Sequence, residues 1–467
     1  MFLEKIVAQT KNDLAGRKRE MPLAEVQRLA AAQPAPRDLY AALRNGSAIK
    51  LIAEVKRASP SKGLLAPHLD PLEVARTYEM HGATAISVLT EPHFFLGSPA
   101  YLTAIKQAVQ VPVLRKDFIF DEYQVYEARV WGADAILLIC AILDEAQLQH
   151  LLNIAHNLQM QCLVEVHSAA EAQRAVAAGA RIIGVNSRDL ATFKMNPRLI
   201  SELRPFIPPD RVVVAESGIQ TQADARRLAR YDIQAMLVGE SLVVSQNIPA
   251  QMHSLLQGAN GSTQVKICGL RTVEHALVAI DAGADMLGLI FYEPSHRYIS
   301  PREARGLIEA IQSEHTTADF VGVFVNCEAS FINDISEQVG LQFVQLHGDE
   351  PPEFCHSINR PVIKALSLNG QDDMSQVKAY HEASWRILLD TPTAHWGGTG
   401  QTHDWTLACT VAQAMPILLA GGLTPENVYE AIRQVQPWGV DVSSGVETNR
   451  VKDVEKIREF MRRARLS

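Results

Sequence analysis

Four phrases in this chain share one design: EMHGATAISVL (residues 79–89), RVWGADAILLI (129–139), VAAGARIIGV (176–185) and IDAGADMLGLI (280–290). In each, an apolar-periodic stretch runs into a Gly-Ala step, and four to seven mostly apolar residues follow. A Gly just past a helix C-terminus adopts the left-handed backbone that other residues resist. The run after it suits a strand buried on both faces. Helix–Gly–strand repeated along a chain predicts successive βα units and a parallel sheet.

The count sharpens this. Candidate strands lie near 51–55, 84–89, 111–115, 134–139, 161–166, 181–185, 211–215 and 235–238, and again near 264–268, 285–290, 319–325, 341–346, 362–366, 386–390, 416–420 and 438–442. Two sets of eight, at roughly 200–250 residues each, predict an α/β chain of two tandem (β/α)8 TIM barrels. A doubly wound sheet would want a Gly-rich GxGxxG fingerprint after its first strand, and neither half has one. The stretch QGANGSTQ (257–264) is the most linker-like in the chain. It places the domains at 1–258 and 259–467. The residues before the first strand are helical in pattern and are expected to cap the first barrel as an N-terminal extension.

Composition narrows the class. At 467 residues the chain exceeds a single core, and 47% hydrophobic with 21% charged residues is ordinary for a globular protein. A net charge of −8 argues against nucleic-acid binding, which needs a basic face. The start has charges by its fourth residue, and the longest apolar run, AILLICAIL (135–143), is too short to span a bilayer. Six cysteines without a CxxC pair imply neither a disulfide framework nor a zinc site. The expectation is a cytoplasmic monomer with reduced thiols, no membrane partner, and no metal or cofactor.

Barrel enzymes carry their chemistry at the C-terminal strand ends. In the first half those ends bear Glu54 and Lys56, then Arg115 and Lys116, Glu165, Asn186 with Arg188, Glu216-Ser217-Gly218, and Gly239-Glu240-Ser241. Glu54 and Lys56 are two apart in a strand and project to one face. A surface ion pair would explain them alone, but so many polar ends converging is hard to explain as packing, because unpaired buried charge is costly. The last two loops, ESGI and GES, offer small residues and backbone N–H groups after strands 7 and 8, where barrels hold phosphate.

The segments AEVKRASPSKG, LRKDF, LVEVH, GVNSRDL, AESGI and LVGES, in this order over residues 1–258, resemble the signature of indole-3-glycerol-phosphate synthase. The resemblance implies a carboxy-lyase that closes 1-(2-carboxyphenylamino)-1-deoxyribulose 5-phosphate to the indole. It makes Lys116 the general acid and Glu165 the base of rearomatisation. Lys56 would hold the substrate anion, Glu54 would tune or accept, and Asn186 would position hydroxyls. Ser59, Ser61, Arg188, Glu216, Ser217, Gly218, Gly239 and Ser241 would bind substrate or phosphate.

The second half opens with VKICGL (265–270), where Lys266 and Cys268 share a face at the end of the first strand. Most buried cysteines are inert, yet a thiol beside a cation can hold enough thiolate to act as a base. Further ends carry Arg297, Asn326, His347, Lys364 and Asp390, the last followed by HWGGTGQTHDW. Strands 7 and 8 end in LAGGL and DVSSGVE. KICG, SHRY, QLHG, LLD with GGTG, LAGGL and DVSSGVE, in this order from about residue 262 to the end, resemble phosphoribosylanthranilate isomerase, which implies an Amadori rearrangement, formally an intramolecular oxidoreduction. Asp390 then matches the general acid and Cys268 the base, while Arg297 would bind the anthranilate moiety. His347, Gly398, Gly421, Gly422, Asp441, Ser443, Ser444 and Gly445 complete the expected substrate and phosphate site. An apolar wall such as Trp396 would raise the Asp390 pKa. His395 and His403 are expected to be structural or gating rather than metal ligands.

The isomerase product is the synthase substrate, so the two resemblances together imply consecutive steps of tryptophan biosynthesis on small phosphosugars. Two readings remain beside this one. A pair of phosphosugar barrels such as the histidine-pathway isomerase would pair two aspartates where Cys268 stands, and a non-catalytic scaffold would lack the acids and bases.

Overall fold

The computed structural model describes residues 2–189, 192–261, 263–312, 318–367, 374–390 and 405–466. Its strands fall where the apolar runs put them. The first eight are β1 (Lys50–Val55), β2 (Ala85–Leu89), β3 (Val113–Lys116), β4 (Ala135–Ile139), β5 (Gln161–Val166), β6 (Ile182–Asn186), β7 (Val212–Glu216) and β8 (Ala235–Val238). Each pairs in parallel with its sequence neighbour, and β8 returns to β1 with Ile52 beside Leu237, closing a barrel.

A second closed barrel follows from β9 (Gln264–Cys268), β10 (Met286–Ile290), β11 (Asp319–Phe324), β12 (Phe343–Leu346), β13 (Val362–Leu366), β14 (Arg386–Asp390), β15 (Ile417–Ala420) and β16 (Gly439–Val442). The chain divides into two compact units, Met1–Gly261 and Ser262–Ser467. Among the described residues no helix is long and apolar enough to cross a membrane.

The glycines of the four repeated phrases do what the pattern demands. Gly82, Gly132, Gly179 and Gly283 all take left-handed backbone, with φ of 96°, 93°, 83° and 90°. Helix starts are equally local in origin. Asp70, Ser98, Asp121, Asp144 and Ser168 each accept a backbone N–H of the first turn, satisfying donors that a helix leaves free. Short loops therefore end on a fixed residue, and the polar side chains at the strand ends inherit that rigidity.

The N-terminal extension forms α1 (Phe2–Glu20), α2 (Leu23–Ala31) and α3 (Leu39–Arg44). It covers more than one end of the first barrel. Leu39 and Leu43 of α3 are buried with Ile52, Leu137 and Val212 in one apolar cluster, and Tyr40 reaches the carbonyl of Asp210, just before β7. At the other end Phe2 packs edge-on against Phe94 and Phe193, with ring centres 5.4 and 5.2 Å apart. Both partners sit in loops that follow strands.

One expectation is corrected. Gln257–Asn260 is not a linker but the last turn of the helix Ile248–Asn260. Gly258 is there because a Cβ would meet the Gln222 carbonyl at 2.3 Å, so its missing side chain lets two helices touch. The connection to β9 shrinks to residues 261–263.

Candidate active sites at the two barrel mouths

At the first mouth, one cleft is lined by Glu54, Lys56, Ser59, Ser61, Lys116, Glu165, Asn186, Arg188, Glu216, Ser217, Gly218, Gly239 and Ser241. All the residues singled out for this half except Arg115 are brought together. Lys56 Nζ lies 2.8 Å from Glu54 Oε1, as their shared face requires. Lys116 Nζ lies 3.3 Å from Glu165 and 3.6 Å from Glu216. Room for these carboxylates comes from missing side chains: a Cβ on Gly184 would fall 2.0 Å from Glu216 Oε1, and one on Gly239 2.6 Å from Glu54 Oε1. Arg115 departs from the expected convergence. It is one residue from Lys116 and so points the other way, buried against Asp117, Glu127 and the face of Trp131.

The electrostatics separate the carboxylates. Burial works against the Lys116 charge, but Glu165, Glu216 and Glu54 outweigh it and raise the ammonium above the usual lysine range. Burial would also raise Glu165, yet Lys116 and His167 hold it well below the usual carboxylate range. Burial, opposed by Lys116 and reinforced by Glu165 and Glu54, pushes Glu216 up to about 8. Near neutral pH one carboxylate beside Lys116 is therefore ionised and the other protonated, an arrangement suited to acid–base work.

The loops after β7 and β8 meet where Ser241 Oγ donates to the Ile219 carbonyl, 2.9 Å away. Ser217 and Gly218 are consecutive left-handed residues, φ 65° and 74°, and a non-glycine there is strained backbone of the sort that collects at functional sites. Opposite, Arg188 reaches Ser61 at 3.2 Å and Glu240 at 3.6 Å, and Lys62 reaches Glu240 at 2.5 Å. Among the described residues Ser59 Oγ is buried without a hydrogen-bond partner. Sequence reasoning missed the apolar side of this cleft, Phe95, Phe118, Phe193, Leu137 and Ile139. The Phe pair in EPHFFLGS, aromatic residues within a Pro- and Gly-containing loop, was the available signal.

At the second mouth Lys266 is fully buried and donates to Asp441 at 3.0 Å. Cys268 is buried beside it, and Gly288 on the neighbouring strand leaves space for the thiol, since a Cβ would lie 2.7 Å from Sγ. The sequence reading allowed the adjacent cation to hold a thiolate. In this dry setting burial outweighs Lys266 and pushes the Cys268 thiol up, so the free site holds the protonated form. Asp390 is raised by burial against the pull of His347, whose Nε2 lies 3.9 Å from it. His347 is itself lowered, by burial first, and Gln345 contacts its Nδ1 at 2.9 Å.

Arg297 makes two bonds to Glu447, at 2.7 and 2.8 Å. Both line a cleft with Gly269, His296 and Lys452. Gly421 and Gly422 are left-handed after β15, and Ser443, Ser444 and Gly445 follow Asp441 at the end of β16. These two loops touch backbone to backbone, because a Cβ on Gly445 would meet the Leu423 carbonyl at 1.8 Å. Lys364 turns away into a buried pair with Glu350 at 2.7 Å. Gly398, Trp396, His395 and His403 lie outside the described residues.

Family models match both halves: indole-3-glycerol phosphate synthase over residues 3–255 and N-(5'phosphoribosyl)anthranilate (PRA) isomerase over residues 265–463. The tryptophan biosynthesis protein TrpCF of Yersinia pestis is 36% identical over 97% of this chain and 92% of its own length. A multifunctional tryptophan biosynthesis protein of Phycomyces blakesleeanus is 36% identical over 99% of this chain, which spans 69% of that longer protein. The indole-3-glycerol phosphate synthase of Dehalococcoides mccartyi is 51% identical over 55% of this chain and 100% of its own. The chain belongs to the bifunctional indole-3-glycerol phosphate synthase and phosphoribosylanthranilate isomerase enzymes of tryptophan biosynthesis.

Proposed function

We propose that the second barrel rearranges N-(5-phosphoribosyl)anthranilate to 1-(2-carboxyphenylamino)-1-deoxyribulose 5-phosphate, and that the first closes this aminoketose to indole-3-glycerol phosphate with loss of carbon dioxide and water. The observation that carries the reading is the convergence of Lys116 Nζ on Glu165 and Glu216, at 3.3 and 3.6 Å, within the one cleft at the first mouth.

In the first barrel Lys116 protonates the ketose oxygen as the new ring bond forms, and Glu165 removes the ring proton during rearomatisation. Lys56, fixed by Glu54, holds the substrate anion. Asn186, whose Oδ1 accepts the Arg188 N–H at 3.0 Å, positions hydroxyls. Phosphate rests on the loops after β7 and β8, with Ser217, Gly218, Gly239 and Ser241.

In the second barrel Asp390, whose carboxyl burial raises above its ordinary value, delivers its proton to the furanose ring oxygen. Cys268 takes the C2′ proton in its thiolate form, which the neighbouring Lys266 ammonium favours against the cost of burial. Arg297 exchanges its Glu447 partner for the anthranilate carboxylate, and phosphate sits by Gly421, Gly422, Ser443, Ser444 and Gly445.

Supplying each sugar phosphate separately and following anthranilate and indole fluorescence tests this. Indole-3-glycerol phosphate formed from the aminoketose by a Cys268→Ala chain, with no turnover of phosphoribosylanthranilate, is the expected result. Turnover of neither compound by the wild-type protein would overturn the reading.

A further inference from the structure

Glu165 and Glu216 stand at similar distances from Lys116, 3.3 and 3.6 Å, and both are buried. Lys116 alone therefore gives no reason for the two to differ. The asymmetry comes from a second cation. His167 is two residues beyond Glu165 and projects from the same face of the chain, so its Nε2 comes within 3.3 Å of Glu165 Oε1. Lys116 faces the other oxygen, Oε2.

Behind the histidine, Glu171 in the first turn of the helix Ala169–Ala177 brings Oε2 within 3.5 Å of Nδ1 and accepts the His167 backbone N–H at 2.8 Å. Among the described residues neither ring nitrogen, nor Glu165 Oε1, makes a hydrogen bond, so the two carboxylates meet the ring as charge contacts. A ring with a carboxylate at each nitrogen is favoured as the imidazolium.

We propose that His167 is a positioning residue of the ring-closure site, a cationic bridge from Glu171 to Glu165 that orients Glu165 and decides which carboxylate beside Lys116 carries the proton. This rests on the reading of Glu165 as base. Its chemical consequence is specific. An acid placed next to its own base would otherwise hand the proton across, and the imidazolium biases that proton toward Glu216. Burial opposes the His167 charge, but Glu165 and Glu171 overcome it and raise the ring to about 10, so the bridge persists across the working pH range.

The other groups facing the pair are accounted for. Asn186 lies beside Glu165, Glu54 and Glu216 face it across Lys116, and Arg174 and Cys140 flank Glu171. Arg174 is committed to the Cys140 carbonyl.

The test is the pH profile of synthase kcat/KM in full-length His167→Asn and Glu171→Gln, with thermal unfolding of the first barrel, compared with wild type, as the folding control. Without the cation Glu165 binds its proton more tightly, so the acidic limb should move up by about one pH unit in His167→Asn. On that limb kcat should fall about tenfold, with KM changed less than about twofold. Glu171→Gln should move the limb the same way by less, and serves as the deciding variant if His167→Asn is poorly folded. An acidic limb that stays put or moves down, with the first barrel folded, overturns the inference. Glu165→Gln separates the two layers: if it retains synthase activity the base assignment fails, whereas an inactive Glu165→Gln beside an unshifted His167→Asn limb sinks the bridge alone.

Discussion

The two mouths use one scaffold in different electrostatic regimes. At the first, Lys116, Glu165 and Glu216 are 16%, 1% and 2% exposed, and each group's proton affinity is set by burial together with the charges of the others. At the second, the acid and the base are held by separate partners, Asp390 near His347 and Cys268 near Lys266. A decarboxylating ring closure needs several proton movements in one place, so a dense network serves it. A rearrangement needs one proton delivered and one removed, and two weakly coupled groups suffice. The comparison teaches that strand-end position supplies the residues, while burial decides how strongly they talk to each other.

The largest expected effects come from removing one member at each mouth. Lys116→Ala or Glu165→Gln should lower indole formation by about 10²–10⁴ and leave isomerisation unchanged, because a positioned acid or base contributes about that much. Cys268→Ala or Asp390→Asn should do the converse. Mixing a Lys116→Ala chain with a Cys268→Ala chain should restore the overall conversion, since the intermediate can diffuse between molecules. Both rates measured on each variant decide the matter, and a single substitution that silenced both in a folded chain would break the two-site comparison.

A smaller effect tests coupling at the first mouth. The Glu216 carboxyl is raised from its ordinary 4.5 to about 8 by burial. A raised carboxyl stabilises the fold fully below its unfolded value and loses that contribution as pH climbs through the folded value. Glu216→Gln has no such loss, so its Tm relative to wild type should rise by several degrees between pH 5 and pH 9. A difference that is flat with pH would remove Glu216 from the coupled network.

Smaller still are the glycines that make room. Gly184→Ala sets a Cβ against Glu216, and Gly288→Ala sets one against the Cys268 thiol. Each should cost about 1–3 kcal/mol of stability through overpacking, read by denaturant unfolding. Gly184→Ala should weaken only synthase turnover and Gly288→Ala only isomerase turnover.

The sequence made the barrels legible because every βα unit announces itself locally, in apolar runs such as AILLI and in glycines that must be left-handed. It also exposed the polar strand ends, since period-two alternation needs only neighbours in the chain. What it hid was non-local. Arg115 looked like a mouth residue until Trp131 and Glu127 were seen to claim it. The bond between Lys62 and Glu240 joins loops far apart in sequence, and the proton on Glu216 depends on charges from β1, β3 and β5. QGANGSTQ misled for a related reason. Its Gly258 is set by the Gln222 carbonyl it must clear, not by a need for flexibility.

The smallest expected effect is the one from separating the mouths. Each barrel closes its own hydrogen-bond ladder, β1 on β8 and β9 on β16, so neither sheet borrows a strand from the other half. A parallel strand left unpaired would cost its whole ladder, and no such cost arises from a cut between Gly261 and Ser262, where the two compact units divide. A cut at 258 would instead remove Ala259 and Asn260, and Asn260 holds both the N–H and the carbonyl of Ile49 at the entry to β1. Expressed apart, 1–261 and 262–467 should each keep one activity within about twofold of the full chain, whereas 1–258 should be measurably less stable than 1–261. Thermal unfolding of the two synthase fragments, with indole formation assayed alongside, provides the comparison. Equal stability would show that the Asn260 clamp contributes nothing, and loss of synthase activity from 1–261 would show that the first mouth depends on the second half after all.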